Sequence, residues 1–145
     1  MLTVSSLYQH IKLIKEQMKL KPIHFKYFKK EFLYWADYFN LNNVRFEFKI
    51  PNDGELEVSG AAGVYWEYED TFVIVYLNSE QDFTTKTAYA DLANSAFHEC
   101  VEVLLYRLHD MAIARNFDQR EWLAETHSII HLLWNRIGKK KYKIT

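Results

Sequence analysis

The chain has 145 residues, 49% of them hydrophobic and 17% aromatic, and its 18 basic and 19 acidic side chains leave a formal net charge of −1. This composition is typical of a protein with a packed core and argues against a disordered chain. The balanced charge supplies no basic field and so disfavours nucleic acid as a partner. The stretch GKKKYKI (138–144) is locally basic, and we interpret it as a solvated end of the chain.

Cysteine usage and hydropathy indicate the compartment. The single cysteine, Cys100, cannot form an internal disulfide and is typical of a reducing environment. No apolar run approaches the roughly 20 residues that cross a bilayer, and the first residues do not resemble a secretory signal. We therefore expect a cytoplasmic protein with no membrane partner. Because the sequence has no internal repeat and no Ser/Gly-rich linker, it predicts a single domain over residues 1–145.

The first forty residues predict two helices, because apolar side chains recur there every three or four positions. The first helix spans about residues 5–20, with the apolar stripe Leu7, Ile11, Ile14 and Met18. The second begins at Pro22, a residue suited to a first helical turn, and runs to about Asn40, where NLNN is a stop signal. Its apolar stripe is aromatic and consists of Phe25, Phe28, Phe32, Trp35 and Phe39.

The middle of the chain has the period of strands. VRFEFKI (44–50) alternates apolar and polar residues and predicts a half-buried strand, followed by a turn at PNDGE (51–55). LEVSGAAGVYWEYED (56–70) and TFVIVYLN (71–78) predict two more strands. The last of these is almost wholly apolar, so we expect it at the centre of the sheet.

Two further helices follow. One runs from Lys86 to about Ala112, and after a short break near residues 116–118 the other runs from about Gln119 to Ile137, where Gly138 can end it. The third helix has the stripe Leu92, Ala93, Ala96, Phe97, Cys100, Val101, Leu104 and Leu108, and the last has Leu123, His127, Ile130, Trp134 and Ile137. This order predicts an α+β fold, with a small, mostly antiparallel or mixed three-stranded sheet packed against about four helices.

The stretch SAFHECVEVLLYRL (95–108) begins like the His-Glu-x-x-His helix of zinc hydrolases. Residues four apart stack on one face of a helix, so His98 and Glu102 can reach one ion. Glu102 stands where that signature has its second histidine, and carboxylate oxygens also bind zinc at about 2 Å. Glu99 points about 100° away on the helix, where it can act as a base beside the ion without binding it.

A third ligand must come from another element. His109 is eleven residues after His98, about 16 Å further along a continuous helix, and cannot reach the same ion. The last helix offers His127, His131 and Glu125. We rank His127 first because it lies within the apolar stripe that faces the neighbouring helix, His131 second at the edge of that stripe, and Glu125 third.

These residues also have ordinary structural interpretations. A His-Glu pair with a second glutamate nearby often arises by chance. His127 would then be a hydrogen-bonded core histidine, and Glu99 and Glu102 would form ion pairs on a solvated face. Cys100 lies on the apolar stripe, where a thiol acts as a small hydrophobic group.

Three stretches in this order, TFVIVYLNSEQDFT, LANSAFHECVEVLLYRL and EWLAETHSIIHLLWNRI, resemble a family of small zincin-like proteins of bacteriophages that are described as metallopeptidases. These proteins share a strand ending in Leu-Asn and a helix with His-Glu-x-x-His or His-Glu-x-x-Glu followed by leucines. Their last helix carries Glu-x-His or Glu-His before an Ile-Ile pair. The resemblance covers about residues 44–137, and the helix before the first strand is compatible with it.

The resemblance implies a minimal zincin-like core over about residues 22–137. In it His98, Glu102 and His127 would hold a divalent metal, zinc, and Glu99 would be the catalytic base. TFVIVYLN would be an edge strand beside the metal helix, with which a substrate peptide pairs. The first helix lies outside the pattern and would be an added lid or the contact of a homodimer.

Two functions from different classes follow from these features. The first is a metal-dependent, peptidase-like hydrolase whose peptide or protein substrate the sequence does not identify. The second is a catalytically inactive zincin-like phage protein that binds or inhibits a host protein. In either case a phage-encoded protein would act in the host cell cytoplasm.

Overall fold

The computed structural model describes residues 3–51, 60–67, 72–113 and 118–145, with the side chains at positions 17–18, 67 and 107–113 excepted. Two helices come first, α1 (Val4–Met18) and α2 (Pro22–Tyr38). Three strands follow, β1 (Arg45–Lys49), β2 (Ala62–Glu67) and β3 (Phe72–Leu77). Next come α3 (Ala88–Ile113) and α4 (Gln119–Leu133), and α4 continues through a wider π-type turn (Trp134–Gly138) into α5 (Lys139–Tyr142). The α+β prediction is confirmed.

The sheet is mixed and has the order β1-β3-β2. β1 runs parallel to β3, and β2 runs antiparallel to it, with Val64 opposite Val75. Three successive side chains of β3, Val73, Ile74 and Val75, are buried, so the strand is covered on both faces. The hydropathy prediction of a central strand is therefore confirmed. The expectation from the resemblance, that TFVIVYLN is an edge strand, is wrong, since both sides of β3 are paired.

The core lies between the sheet and the helices α2 and α3. Phe32 of α2 meets the rings of Phe46 and Phe48 on β1 edge-on, with centroid distances of 5.1 and 5.3 Å. Trp35 meets Phe97 of α3 in the same manner at 4.8 Å. Most of the predicted stripe of α3 is buried, namely Leu92, Ala93, Ala96, Phe97, Cys100 and Val101. These contacts fix α3, the helix that carries the candidate site, against the sheet and α2.

Local capping explains where several helices begin and end. Pro22 opens α2, and His24 Nδ1 accepts a hydrogen bond from the backbone N–H of Lys21 at 3.2 Å. Asn40, in the predicted NLNN stop, adopts a left-handed φ of 58° after α2. Asp118 caps α4 by accepting a hydrogen bond from the N–H of Arg120 at 2.8 Å. Most of the turn predicted at PNDGE, both ends of the second predicted strand and most of the break near 116–118 lie outside the described residues.

The last helix does not end at Gly138, so that prediction is wrong. Gly138 has right-handed helical angles, φ −65° and ψ −53°, and the helix continues until Lys143 adopts a left-handed φ of 54°. A Cβ at position 138 would overlap the indole ring of Trp134. Glycine is required here for close packing against Trp134 and does not serve as a helix stop.

The basic stretch after Gly138 is not simply a solvated end, and that interpretation is also wrong. Lys141 Nζ lies 2.8 Å from Glu31 Oε2, a carboxylate of α2 that is 4% exposed. The hydroxyl of Tyr142 donates a hydrogen bond to the same oxygen and accepts one from Trp35 Nε1 at 3.1 Å. A buried acid on α2 therefore draws the two side chains back onto the domain, because an unpaired buried carboxylate would be costly.

Helix α1 forms as predicted, with Thr3 accepting a hydrogen bond from the N–H of Ser6 at its start. Its apolar residues Leu7, Ile11 and Ile14 are 42–49% exposed. A lid and a dimer contact both remain predictions for this helix. Among the described residues, none of the helices has the length and apolar character required to traverse a bilayer.

Candidate metal centre

The candidate site lies at the border of the contact between α3 and α4. On α3 the buried residues Phe97 and Val101 each directly adjoin a site residue, His98 and Glu102 respectively. Ile130 and Trp134 of the predicted stripe are buried as expected. At the start of α4 the prediction is wrong, because Thr126 is buried while its neighbour His127 and Leu123 are exposed. The site residues therefore sit beside the buried seam, within reach of solvent.

His98, Glu102 and His127 come together at this border. His98 Nε2 lies 3.2 Å from Glu102 Oε1, and His127 Nε2 lies 3.2 Å from the same oxygen. The three donor atoms all lie within 4.8 Å of one another, and the two imidazole centroids are 5.2 Å apart. This cluster has the residue types and spacing to hold a metal ion. Whether these residues act as ligands stays a prediction.

Contacts within this cluster shift the pKa values of His98 and Glu102. The hydrogen bond with Glu102 raises the pKa of His98, although burial acts in the opposite direction. Burial by itself would raise the pKa of Glu102, but the hydrogen bonds and charges of His98 and His127 outweigh it, and the pKa falls below its usual value. The carboxylate is thus held in its ionised form, which is the form that binds a cation.

Glu99 is next to this cluster but is not part of it. The residue is only 7% exposed, which excludes the alternative that it lies on a solvated face. Burial, and secondly the negative charge of Glu102, raise the pKa of Glu99 to about 8. Its carboxyl group is not among the converging donor atoms. A buried carboxyl group with a pKa near neutrality can exchange protons at physiological pH, as a general base does.

The other candidate residues are placed elsewhere. His131 and Glu125 are exposed on α4 and do not join the cluster. The side chain of His109 lies outside the described residues. His127 has a side chain that is 49% exposed, so the interpretation as a core histidine is wrong. Cys100 is fully buried, and burial raises the pKa of its thiol, so it acts as a small hydrophobic group, as predicted.

A pocket that the sequence did not predict lies beside the cluster. It has a volume of about 160 Å³ and is bounded by Glu102 together with Val64, Trp66, Leu105, Tyr106, Trp122, Leu123 and Thr126. These residues come from β2, α3 and α4, so no local pattern marks them as a group. The one available signal was the pair of aromatic residues, Trp66 and Trp122, at positions that the periodicity did not require for the core.

No protein-family profile, curated protein or solved structure matches this chain. The function must therefore be argued from the site itself.

Proposed function

We propose that this protein is a metal-dependent hydrolase of peptide bonds, with zinc held by His98, Glu102 and His127 and with Glu99 as the base. The observation that carries the proposal is the convergence of three donor atoms from two helices beside a buried carboxyl group. Three protein ligands with one open position are typical of catalytic zinc sites, whereas structural sites use four protein ligands.

The spacing within the cluster supports this ligand set. Two donors at about 2.0–2.1 Å from a tetrahedral zinc lie about 3.4 Å from each other. The two distances from Glu102 Oε1 to the histidine nitrogens are both 3.2 Å, close to that value. Two neutral imidazoles and one carboxylate also match the donor preference of zinc. The third pair of donors, the two histidine nitrogens, lies within 4.8 Å.

Zinc in this position would act as a Lewis acid that polarises a substrate carbonyl and makes a water molecule more acidic. Glu99 would take a proton from the attacking water molecule as the water oxygen bonds to the carbonyl carbon. Glu99 then returns the proton to the amine nitrogen when the carbon–nitrogen bond breaks. The pKa of about 8 favours the returning step, and the positive charge of a bound cation favours the accepting step by stabilising the carboxylate.

The position of β2 supports a peptide as the substrate. Within the described part of the chain, β2 lies at an edge of the sheet, and its Trp66 stacks on Tyr106 of α3 with a centroid distance of 4.2 Å. The backbone N–H of Asn78 donates a hydrogen bond to the carbonyl of Ala61, so these two opposite residues form a hydrogen-bonded pair. Hydrogen-bonded and non-hydrogen-bonded pairs alternate along antiparallel strands, so the main-chain groups of Val64 and Trp66 point away from β3. An extended peptide can pair with these groups and pass beside α3.

One observation favours a second candidate, the inactive zincin-like module that binds a host protein. Glu102 Oε1 lies within hydrogen-bond distance of both histidines, so these three side chains can satisfy one another without an ion. Such a cluster would serve only to join α3 to α4.

Two measurements on the purified protein separate the candidates. Elemental analysis should give one equivalent of zinc, and a broad panel of peptides should include some that are cleaved and are protected by a chelator. Metal-free protein that gains no stability from added zinc would instead support the binding module. Protein with one zinc that cleaves no peptide would limit the metal to a structural role.

A further inference from the structure

The pocket beside the candidate metal centre has one side built by β2 and the opposite side by α4, with α3 between them. Glu102 belongs both to the rim of this pocket and to the His-Glu-His cluster. Leu105 and Tyr106, which also line the pocket, follow Glu102 by three and four residues on α3, about one helical turn or 5.4 Å. The pocket therefore begins about one turn away from the point where the donor atoms converge.

The walls of the pocket select an apolar occupant. Val64 and Trp66 point from β2 toward α3, and the stack of Trp66 on Tyr106, with ring planes 20° apart, holds one aromatic wall in place. Leu123 of α4 lines the pocket and is nevertheless 42% exposed, so part of the apolar wall faces the opening. An apolar pocket offers water few hydrogen-bond partners, and an apolar group that displaces this water gains free energy.

The volume indicates the size of the occupant. A pocket of about 160 Å³ compares with the roughly 150 Å³ apolar cavity that accepts benzene in another protein. A phenyl ring or the side chain of leucine fills such a space, whereas alanine or glycine leaves most of it empty. The carboxylate at the rim already has two histidine nitrogens 3.2 Å from one of its oxygens, so it does not call for a cationic occupant.

We propose that this pocket binds a phenylalanine or leucine side chain of a peptide, directly beside the bond that is cleaved. The inference rests on the proposed function, since it takes the cluster as the reaction centre and β2 as the strand along which the peptide lies. Leu123, Val64 and the Trp66–Tyr106 stack are then the residues that determine specificity.

Binding can be tested apart from cleavage with small peptide analogues. Chemical shifts of the indole N–H groups of Trp66 and Trp122 should move when N-acetyl-phenylalaninamide or N-acetyl-leucinamide is added to the protein. N-acetyl-glycinamide should bind at least about tenfold more weakly, the scale on which apolar pockets discriminate by size. The variant Leu123→Trp should block the pocket and reduce binding of the phenylalanine analogue by about tenfold or more. Leu132→Trp, at a leucine of α4 that is 60% exposed and outside the pocket, is the matched control.

The outcomes distinguish this inference from the proposed function. Equal binding of all three analogues, or an unchanged preference in Leu123→Trp with its zinc content and fold intact, would overturn the pocket assignment. Binding with the expected preference but without cleavage of any peptide would leave the pocket and overturn the hydrolase. If peptides are cleaved, those with phenylalanine or leucine next to the cleaved bond should have kcat/KM values at least about tenfold above alanine peptides, and Leu123→Trp should remove that difference.

Discussion

Glu102 on α3 and His127 on α4, 25 residues apart in the chain, meet through an oxygen–nitrogen contact of 3.2 Å. The same carboxylate oxygen lies 3.2 Å from His98, so one atom joins the two histidines. Because the residues belong to separate helices, an ion bound among them stabilises the packing of α4 on α3 as well as its own site.

Removal of His127 should therefore weaken stabilisation by zinc. At a zinc concentration one hundred times the Kd, binding adds about 2.7 kcal/mol to the free energy of unfolding, which corresponds to a rise of roughly 10 °C in Tm for a chain of this size. His127→Ala should lose most of this rise, while His131→Ala, an exposed histidine one turn further along α4, should keep it. Calorimetry with zinc and with a chelator measures both. Equal zinc-induced rises in the two variants would show that His127 does not bind the ion.

Substitution of Glu99 separates chemistry from metal binding. Glu99→Gln keeps the size of the side chain and removes the proton acceptor, so zinc content should stay at one equivalent while kcat falls by about 100-fold or more. Glu125→Gln, which changes an exposed carboxylate on α4, is the control and should retain full activity. Turnover of a cleaved peptide and elemental analysis provide the two readings. Loss of zinc from Glu99→Gln would make Glu99 a ligand and contradict its role as a base.

Replacement of Glu102 by histidine should tighten zinc binding. An imidazole suits zinc better than a carboxylate. The change also removes the hydrogen bond with Glu102, which is the main cause of the raised pKa of His98, so fewer protons compete with the metal. We expect the Kd for zinc to fall by about tenfold or more, with activity unchanged or raised. Competition with a chromophoric chelator at pH 7 measures the Kd. A weaker affinity would indicate that the carboxylate is needed to position the two histidines.

At Gly138, alanine should destabilise the protein, although it usually stabilises a helix relative to glycine. Alanine normally stabilises a helix relative to glycine by about 1 kcal/mol. At this position the added methyl group overlaps the Trp134 ring, and crowding in a packed interior costs about 1–3 kcal/mol. Gly138→Ala should therefore lower the free energy of unfolding measured in urea. In the Trp134→Leu background the same change should become neutral or stabilising, and a penalty that persists there would point to another cause.

His24 should make stability depend on pH. The residue is buried, stacks on Phe83 at 4.9 Å, and its pKa lies below the ordinary value of 6.5 because of burial and, secondly, the charge of Lys21. The unfolded state thus binds this proton more readily than the folded state, and stability should fall as pH drops below about 6.5. His24→Gln keeps an acceptor for the Lys21 N–H and does not titrate. The stability of the parent relative to this variant should decrease between pH 7.5 and pH 5. His10→Gln, which replaces an exposed histidine of α1, is the control.

Features that depend on residues close together in the sequence were predicted correctly. The aromatic stripe of α2, the central position of β3 and the stacking of His98 over Glu102 all follow from side-chain periodicity, and the structure has each of them. The role of Gly138 was missed because it depends on the indole ring of Trp134, which no propensity for helix ends includes. The edge-strand expectation failed because it came from a likeness between motifs, whereas the apolar residues on both faces of the strand already indicated the centre.

Contacts between distant segments were not predictable in this way. Lys141 and Tyr142 look like members of a solvated basic run until Glu31, 110 and 111 residues earlier, is known to be buried beside them. The aromatic pocket is similar, because Trp66, Tyr106 and Trp122 share no period and meet only when β2, α3 and α4 are in place. Sequence spacing could therefore rank His127 first among the ligands of the last helix, but it could not indicate a pocket next to it.

The contacts of Tyr142 and Lys141 with Glu31 also bear on the order in which the protein is made. Translation proceeds at about 5–20 residues per second, so the carboxylate of α2 is synthesised several seconds before its two partners. Until then Glu31 cannot be buried without the cost of an unpaired charge. Docking of α2 onto α3 is consequently expected to be completed only after the last turn of helix has left the ribosome. Completion of the fold is thus coupled to completion of this part of the chain.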